Sequence, residues 1–191
     1  IGPTLHLGGM AIITAVASFL LFLGFAPART RVVEDGPKPR FVMPTSGILL
    51  LVGFTLSAMI LEGAGADWSV IFMRDTFEVS PAINTSAFAV GALAQALTRF
   101  FADIYVERHG PVRVAAILVS TLGVGAVMVT FAPNPLVALI GFGLMGMGTS
   151  VVFPLAMSAA AQRTDRPSAT NVAALAQLSF VSFLIAPPAL G

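Results

Sequence analysis

Glu62 is the first side chain whose type and setting point to chemistry. It follows the 21 uncharged residues 41–61 and opens the run Glu62-Gly63-Ala64-Gly65-Ala66-Asp67-Trp68. A charged side chain at the centre of a membrane helix costs about 2.5–3.5 kcal/mol on insertion scales, and less toward the helix ends. A carboxylate near the outer end of a span is therefore either a proton carrier or an interfacial group that caps a backbone N–H or pairs with Arg74. Asp67 reads as interfacial and structural. A second pattern follows: Ala87, Gly91, Gln95, Arg99 and Asp103 recur every four residues, which on a helix forms one slowly drifting polar stripe. Lipid does not tolerate such a stripe, so it must face a bundle interior or an aqueous cavity. Gln95 could bind solute there or bond to a neighbouring helix. Arg99 could bind solute or pair with Asp103, and the gating or structural role is preferred. Asn84, Asn171 and Gln177 are weaker substrate or proton-pathway candidates, since transmembrane amides often join helices.

Other chemistries find little support in the residues. The chain has two histidines and no cysteine, so no metal site is expected and none of the usual thiolate or imidazole clusters can be assembled. There is no phosphate-binding glycine loop, no Ser/His/Asp constellation, and no cofactor is expected.

The elements that must hold these residues are membrane helices. Charged residues are absent from 1–28, 41–61, 79–98, 114–162 and 167–191, and about 18 such residues suffice to cross a bilayer. The run 114–162 is too long for one crossing, and Ala132-Pro133-Asn134-Pro135 divides it. Six spans result: 5–26, 45–66, 81–103, 114–132, 136–161 and 169–191. The fold class is all-α, a polytopic membrane helix bundle, because in lipid each span must satisfy its own backbone groups. Composition agrees: 57% of residues are hydrophobic and 10% charged, against roughly 25% charged in soluble domains.

Basic residues orient the bundle. Arg29, Arg31, Lys38, Arg40, Arg99, Arg108, Arg113, Arg163 and Arg166 fall on one side, leaving Arg74 alone on the other. The positive-inside rule makes the first side cytoplasmic. Ser80-Pro81, Gly110-Pro111 and Asn134-Pro135 punctuate helix starts. Trp68 and Phe72 are expected at the outer boundary and Tyr105 at the inner one. Gly141, Gly143, Gly146 and Gly148, with Gly123 and Gly125, allow close helix approach. The connection 27–44, with its prolines and charges, reads as a linker between two bundles. Ile1 and Gly191 stand in apolar runs, so the chain reads as an internal piece of a longer polypeptide.

The segment Arg99-Phe100-Phe101-Ala102-Asp103-Ile104-Tyr105-Val106-Glu107-Arg108-His109-Gly110-Pro111-Val112-Arg113 resembles a loop signature of the major facilitator superfamily. Asp103, Glu107, Arg108, Gly110 and Arg113 match that cytoplasmic gating motif, while Ala102 replaces the usual glycine and Ile104 and Val112 stand where basic residues are common. With Glu62-Gly63, Asp67-Trp68-Ser69 and Pro187-Pro188-Ala189-Leu190-Gly191, the chain looks most like the MosC-like and fucose-permease-like branch.

The resemblance implies helices six to eleven of twelve. Residues 1–26 would be the last helix of the N-terminal bundle, 27–44 the central cytoplasmic loop, and 45–191 an incomplete C-terminal bundle. It also implies a latch at Asp103, Arg108 and Arg113 that breaks and re-forms as access alternates. The function expected is secondary active transport of a small, polar, sugar-like solute, coupled to protons, by a monomer in a bacterial cytoplasmic (inner) membrane. The partners are that solute, the lipid bilayer and the coupling proton, with no nucleic acid and no enzymatic reaction. The competing class is a polytopic membrane enzyme or a non-transporting receptor. An enzyme would show a catalytic cluster at one membrane face, and a receptor would bind without flux.

Overall fold

The computed structural model describes residues 3–24 and 41–190. The expected linker 27–44 lies outside the described residues as far as residue 40. The chain forms two units, Ile1–Pro39 and Arg40–Gly191. The first contains one apolar helix, α1 (Pro3–Gly24), in which Thr14 returns its hydroxyl proton to the Met10 carbonyl at 2.8 Å.

The second unit is entirely helical: α2 (Ser46–Gly63), a π-helical turn (Ala64–Trp68), α3 (Ser69–Phe77), α4 (Pro81–His109), α5 (Pro111–Thr130), α6 (Pro135–Thr149), α7 (Val152–Ala161) and α8 (Ser168–Leu190). Helices thus occupy the places of all six expected spans. Among the described residues, four are long and apolar enough to cross a membrane: Ser46–Phe77, Pro81–His109, Pro111–Thr130 and Pro135–Ala161.

Capping follows the sequence at most starts. Thr45 and Asn134 accept from Ile48 N and Val137 N, satisfying donors that a helix start leaves open. Ser80 occupies the N-cap of α4 without a side-chain bond. Gly110, at φ 81, turns α4 into α5 within a single residue, and Pro111 begins the new helix with its preset φ.

Three boundaries differ from expectation. The second span does not stop at 66, because the π turn carries the helix on to Phe77, where Glu78 ends it in the left-handed region at φ 48. Trp68 therefore lies within a continuous helix and not in a loop. The third span continues past Asp103 to His109, so Glu107 and Arg108 sit on its last turns and not in a loop. The fifth span is broken at Ser150–Val151. Pro154 explains the break: it has no N–H to donate to the Ser150 carbonyl, and its ring crowds that carbonyl.

The core runs around α6, against which α4 and α5 pack, while α2 packs on α8 and α7. Ala58, Met73, Ala87, Leu122, Phe142 and Met145 form its largest buried cluster. Gly146 is what lets α4 and α6 meet, since a Cβ there would collide with the Gly91 carbonyl. Gly125 and Gly141 do the same between α5 and α6, with a Cβ on Gly125 meeting Gly141 O at 2.7 Å. By contrast, a Cβ on Gly123 would meet nothing within 4 Å. The outside is apolar: Phe100 is 79% exposed, Leu50 78% and Val112 82%. A surface of that kind suits lipid, not water.

Candidate functional site

Glu62, Gln95 and Thr149 converge at the middle of the three helices that carry them. Glu62 is central in the continuous helix Ser46–Phe77, Gln95 in Pro81–His109 and Thr149 in Pro135–Ala161. At 1.5 Å per residue the first of these is about 48 Å long, well beyond the roughly 30 Å hydrocarbon thickness. Glu62 lies midway along that helix, which continues well past it to Phe77.

Gln95 Nε2 donates to Glu62 Oε1 at 2.7 Å and also reaches Thr149 Oγ1 at 3.3 Å. Thr149 in turn donates to the Gly146 carbonyl at 3.2 Å. Arg74, the alternative partner for Glu62, pairs instead with its neighbour Asp75 at 2.7 Å. These groups line a cavity of about 150 Å³ together with Ala87, Phe88, Gly91 and Phe142. Ala87, Gly91 and Gln95 are three of the five stripe residues, so the stripe does face the bundle interior over that length.

Arg99 sits one turn further along α4 and does not pair with Asp103. Its Nε donates to the Ser150 carbonyl at 2.9 Å, the acceptor that Pro154 leaves open. Thr149 and Ser150 were missed by sequence reading. The available signal was a proline four residues after a serine inside a run expected to be one helix. The π turn beside Glu62 is a second irregularity of the kind that recurs at functional sites.

The remaining candidates lie elsewhere. Asn84 is buried and donates to the Val79 carbonyl at 3.4 Å. Asn171 donates to Asp165 Oδ1 at 2.9 Å, and Gln177 accepts from Val42 N at 3.1 Å. These two belong to a polar tie at the N-terminal end of α2. In it Thr45 donates to Asp165 at 3.1 Å, Arg163 pairs with Asp165 at 3.0 Å, and Arg166 donates to the Met43 carbonyl at 2.7 Å. The Arg163 guanidinium, helped by Asn171 and Thr45, holds the Asp165 carboxyl well below the usual carboxylate range.

Pro111, Val112, Gln162 and Arg163 line one surface hollow, so the α4–α5 and α7–α8 turns share that end. Arg108, Arg113, Arg163 and Arg166 thus gather at one end and Arg74 at the other. Asp103, Glu107, Arg108 and Arg113 are exposed. The ion pairs among the described residues are Arg74–Asp75 and Arg163–Asp165, so in this conformation the expected latch residues are not paired with one another. Among the described residues no cluster of three or more His, Cys, Asp or Glu could hold a metal.

The family model described as Major Facilitator Superfamily matches residues 50–191. The chain belongs to the major facilitator superfamily. It is an integral membrane protein with the helical architecture of part of such a bundle. It is 32% identical over 161 residues to an uncharacterized MFS-type transporter of Yersinia pestis, covering 83% of this chain and 41% of that protein. It is 30% identical over 153 residues to the uncharacterized transporter y4wD of Sinorhizobium fredii, covering 78% and 40%. It is also 24% identical to the membrane protein MosC of Rhizobium meliloti, over 75% of this chain and 35% of that protein. The superfamily resemblance seen at 99–113 is borne out, and its MosC-like side with it. No solved structure matches significantly. The chain spans about two fifths of the length of the first two of these relatives.

Proposed function

We propose that this chain is part of a secondary active transporter that moves a small polar solute across a bacterial inner membrane by alternating access, driven by protons. In this reading residues 1–26 close the N-terminal bundle, 27–44 form the cytoplasmic linker, and 45–191 supply helices seven to eleven. The end rich in arginine faces the cytoplasm.

The observation that carries the proposal is the meeting of Glu62, Gln95 and Thr149 on one cavity at mid-helix. Secondary transporters hold substrate near the bilayer midplane at the interface of two repeats, and ionisable groups at that depth serve substrate or proton pathways. The carboxylate supplies a proton site. The amide and hydroxyl supply hydrogen bonds to a polar solute, and Phe88 and Phe142 supply an apolar wall. In this reading the gating motif Asp103, Glu107, Arg108, Gly110 and Arg113 forms a latch that breaks and re-forms as access alternates.

The test is uptake and efflux by the full-length protein in proteoliposomes, over a panel of sugars and sugar acids, with and without a pH gradient. Transport reading predicts saturable flux that the gradient accelerates. Saturable binding with no flux in either direction would replace the transporter with a receptor.

A further inference from the structure

Arg99 is only partly engaged by the bundle. Among the described residues its Nε is committed to the Ser150 carbonyl, while its two terminal nitrogens make no hydrogen bond and no ion pair. Glu62, the acid on the neighbouring cavity, is held by Gln95 and is not paired with Arg99. Asp103, one turn on, is not paired with it either. A guanidinium within a membrane-spanning helix requires a partner, and the nearest acids do not provide one.

The anchor also has a direction. A guanidinium fixed through Nε presents its two terminal nitrogens as a fork, the geometry that takes a carboxylate or phosphate in two parallel hydrogen bonds. Arg99, an exposed residue of α4, lines a second, open cavity of about 360 Å³ together with Ala92, Gln95, Ala96 and Phe100. Gln95 lines both this cavity and the one that holds Glu62, so the two adjoin at its side chain.

We propose that Arg99 forms an anion subsite, in which its terminal nitrogens bind a carboxylate or phosphate group of a soluble ligand while Gln95 receives the hydrogen-bonding remainder. Pro154 is the positioning residue. By leaving the Ser150 carbonyl without a helical donor it supplies the anchor that orients the fork. That the ligand is a transported substrate rests on the transport reading above; the binding itself does not.

The experiment is thermal unfolding of the purified full-length protein in detergent. Sodium acetate and sodium phosphate are titrated at constant ionic strength against sodium chloride. The wild-type midpoint should rise saturably with at least one of the two anions, as a ligand specific to the folded state requires. Arg99→Gln should abolish the rise, while its ligand-free midpoint falls through loss of the bond to the Ser150 carbonyl, and Glu62→Gln should keep the rise. Pro154→Ala restores an N–H to the Ser150 carbonyl, so it should raise the half-saturating concentration about tenfold, the size of one charge-assisted hydrogen bond.

An absent rise in wild type, or an equal rise in Arg99→Gln, overturns the subsite. Unchanged anion affinity in Pro154→Ala overturns the anchoring role. An intact Arg99-dependent response without flux in proteoliposomes would end the transport reading and leave the subsite, and flux without the response would do the reverse.

Discussion

Gly146→Ala, compared with Gly123→Ala, tests whether the cavity depends on the close crossing of α4 and α6. A Cβ on Gly146 would lie within collision distance of the Gly91 carbonyl oxygen, 2.8 Å from its carbon and 3.0 Å from Gly91 Cα. Carbon atoms rest about 3.5–4.0 Å apart, so the two backbones must separate by about 1 Å, and neither contact is a flexible side chain that can swing away. Overpacking of this kind costs about 1–3 kcal/mol. Replacing a mid-helix glycine by alanine also returns about 1 kcal/mol of helix propensity. Gly123→Ala receives the same propensity gain with no contact within 4 Å, so that term cancels in the comparison. The difference between the two variants is then the overpacking term, about 1–3 kcal/mol. Unfolding of the full-length protein in mixed micelles should place Gly146→Ala below Gly123→Ala by that amount. The Gln95–Thr149 bond is already 3.3 Å, so the same displacement should also impair transport in Gly146→Ala alone. Equal stability of the two variants would refute the idea that this crossing is limited by backbone contact.

Glu62→Gln should abolish accumulation driven by a pH gradient while sparing solute exchange, because exchange needs no net deprotonation; normal gradient-driven accumulation would make Glu62 structural. Asp165→Asn should lower the unfolding midpoint equally at every pH from 5 to 9. The carboxyl's acidity is raised in the fold by Arg163, so its contribution is complete above the ordinary range near pH 4 and disappears only in stronger acid. A wild-type stability that fell steeply between pH 7 and 5 in parallel with the loss of this contribution would count against the pairing. Single cysteines at His109 and Asp165 should resist an impermeant label applied outside intact cells, and one at Glu78 should react. The reverse pattern would invert the topology.

The helices were legible because their cause is local. Charge-free runs, proline at first helical positions and the glycine at 110 are all readable without knowing what packs where. The extension to Phe77 and the break at Ser150 were less so. Residues 64–77 mix a glycine, two acids and three aromatics, a composition that fits an interfacial loop as well as a helix with a π turn. For the site, spacing alone singled out Glu62 and Gln95, since carboxylates and amides are rare in such runs. It could not show that they meet, which depends on how α2 and α4 cross. Arg99 shows the limit best. The acid four residues away on its own helix is the partner that spacing suggests, whereas the partner it takes is a carbonyl on another helix, made available by a proline. Thr149 was invisible for the same reason, being an ordinary small residue until α6 brings it to Gln95.

The two departures from α geometry in the membrane-crossing helices flank the same cavity. The π turn Ala64–Trp68 begins two residues after Glu62, and the break at Ser150–Val151 follows Thr149 directly. Non-helical backbone at membrane depth is tolerated where it is buried in protein or lines a cavity, so their coincidence with the polar residues has a physical reason. Each irregularity also has a consequence for side chains. The π turn inserts extra backbone after Glu62 and so sets its carboxylate and the residues beyond it on different faces from those a regular helix would give. The break frees one carbonyl, and Arg99 takes it. The polar groups of the site are thus held by backbone features that a regular bundle of the same composition would lack. It follows that a substitution that makes either segment regular, such as Pro154→Ala, should alter function while leaving the apolar packing around α6 intact.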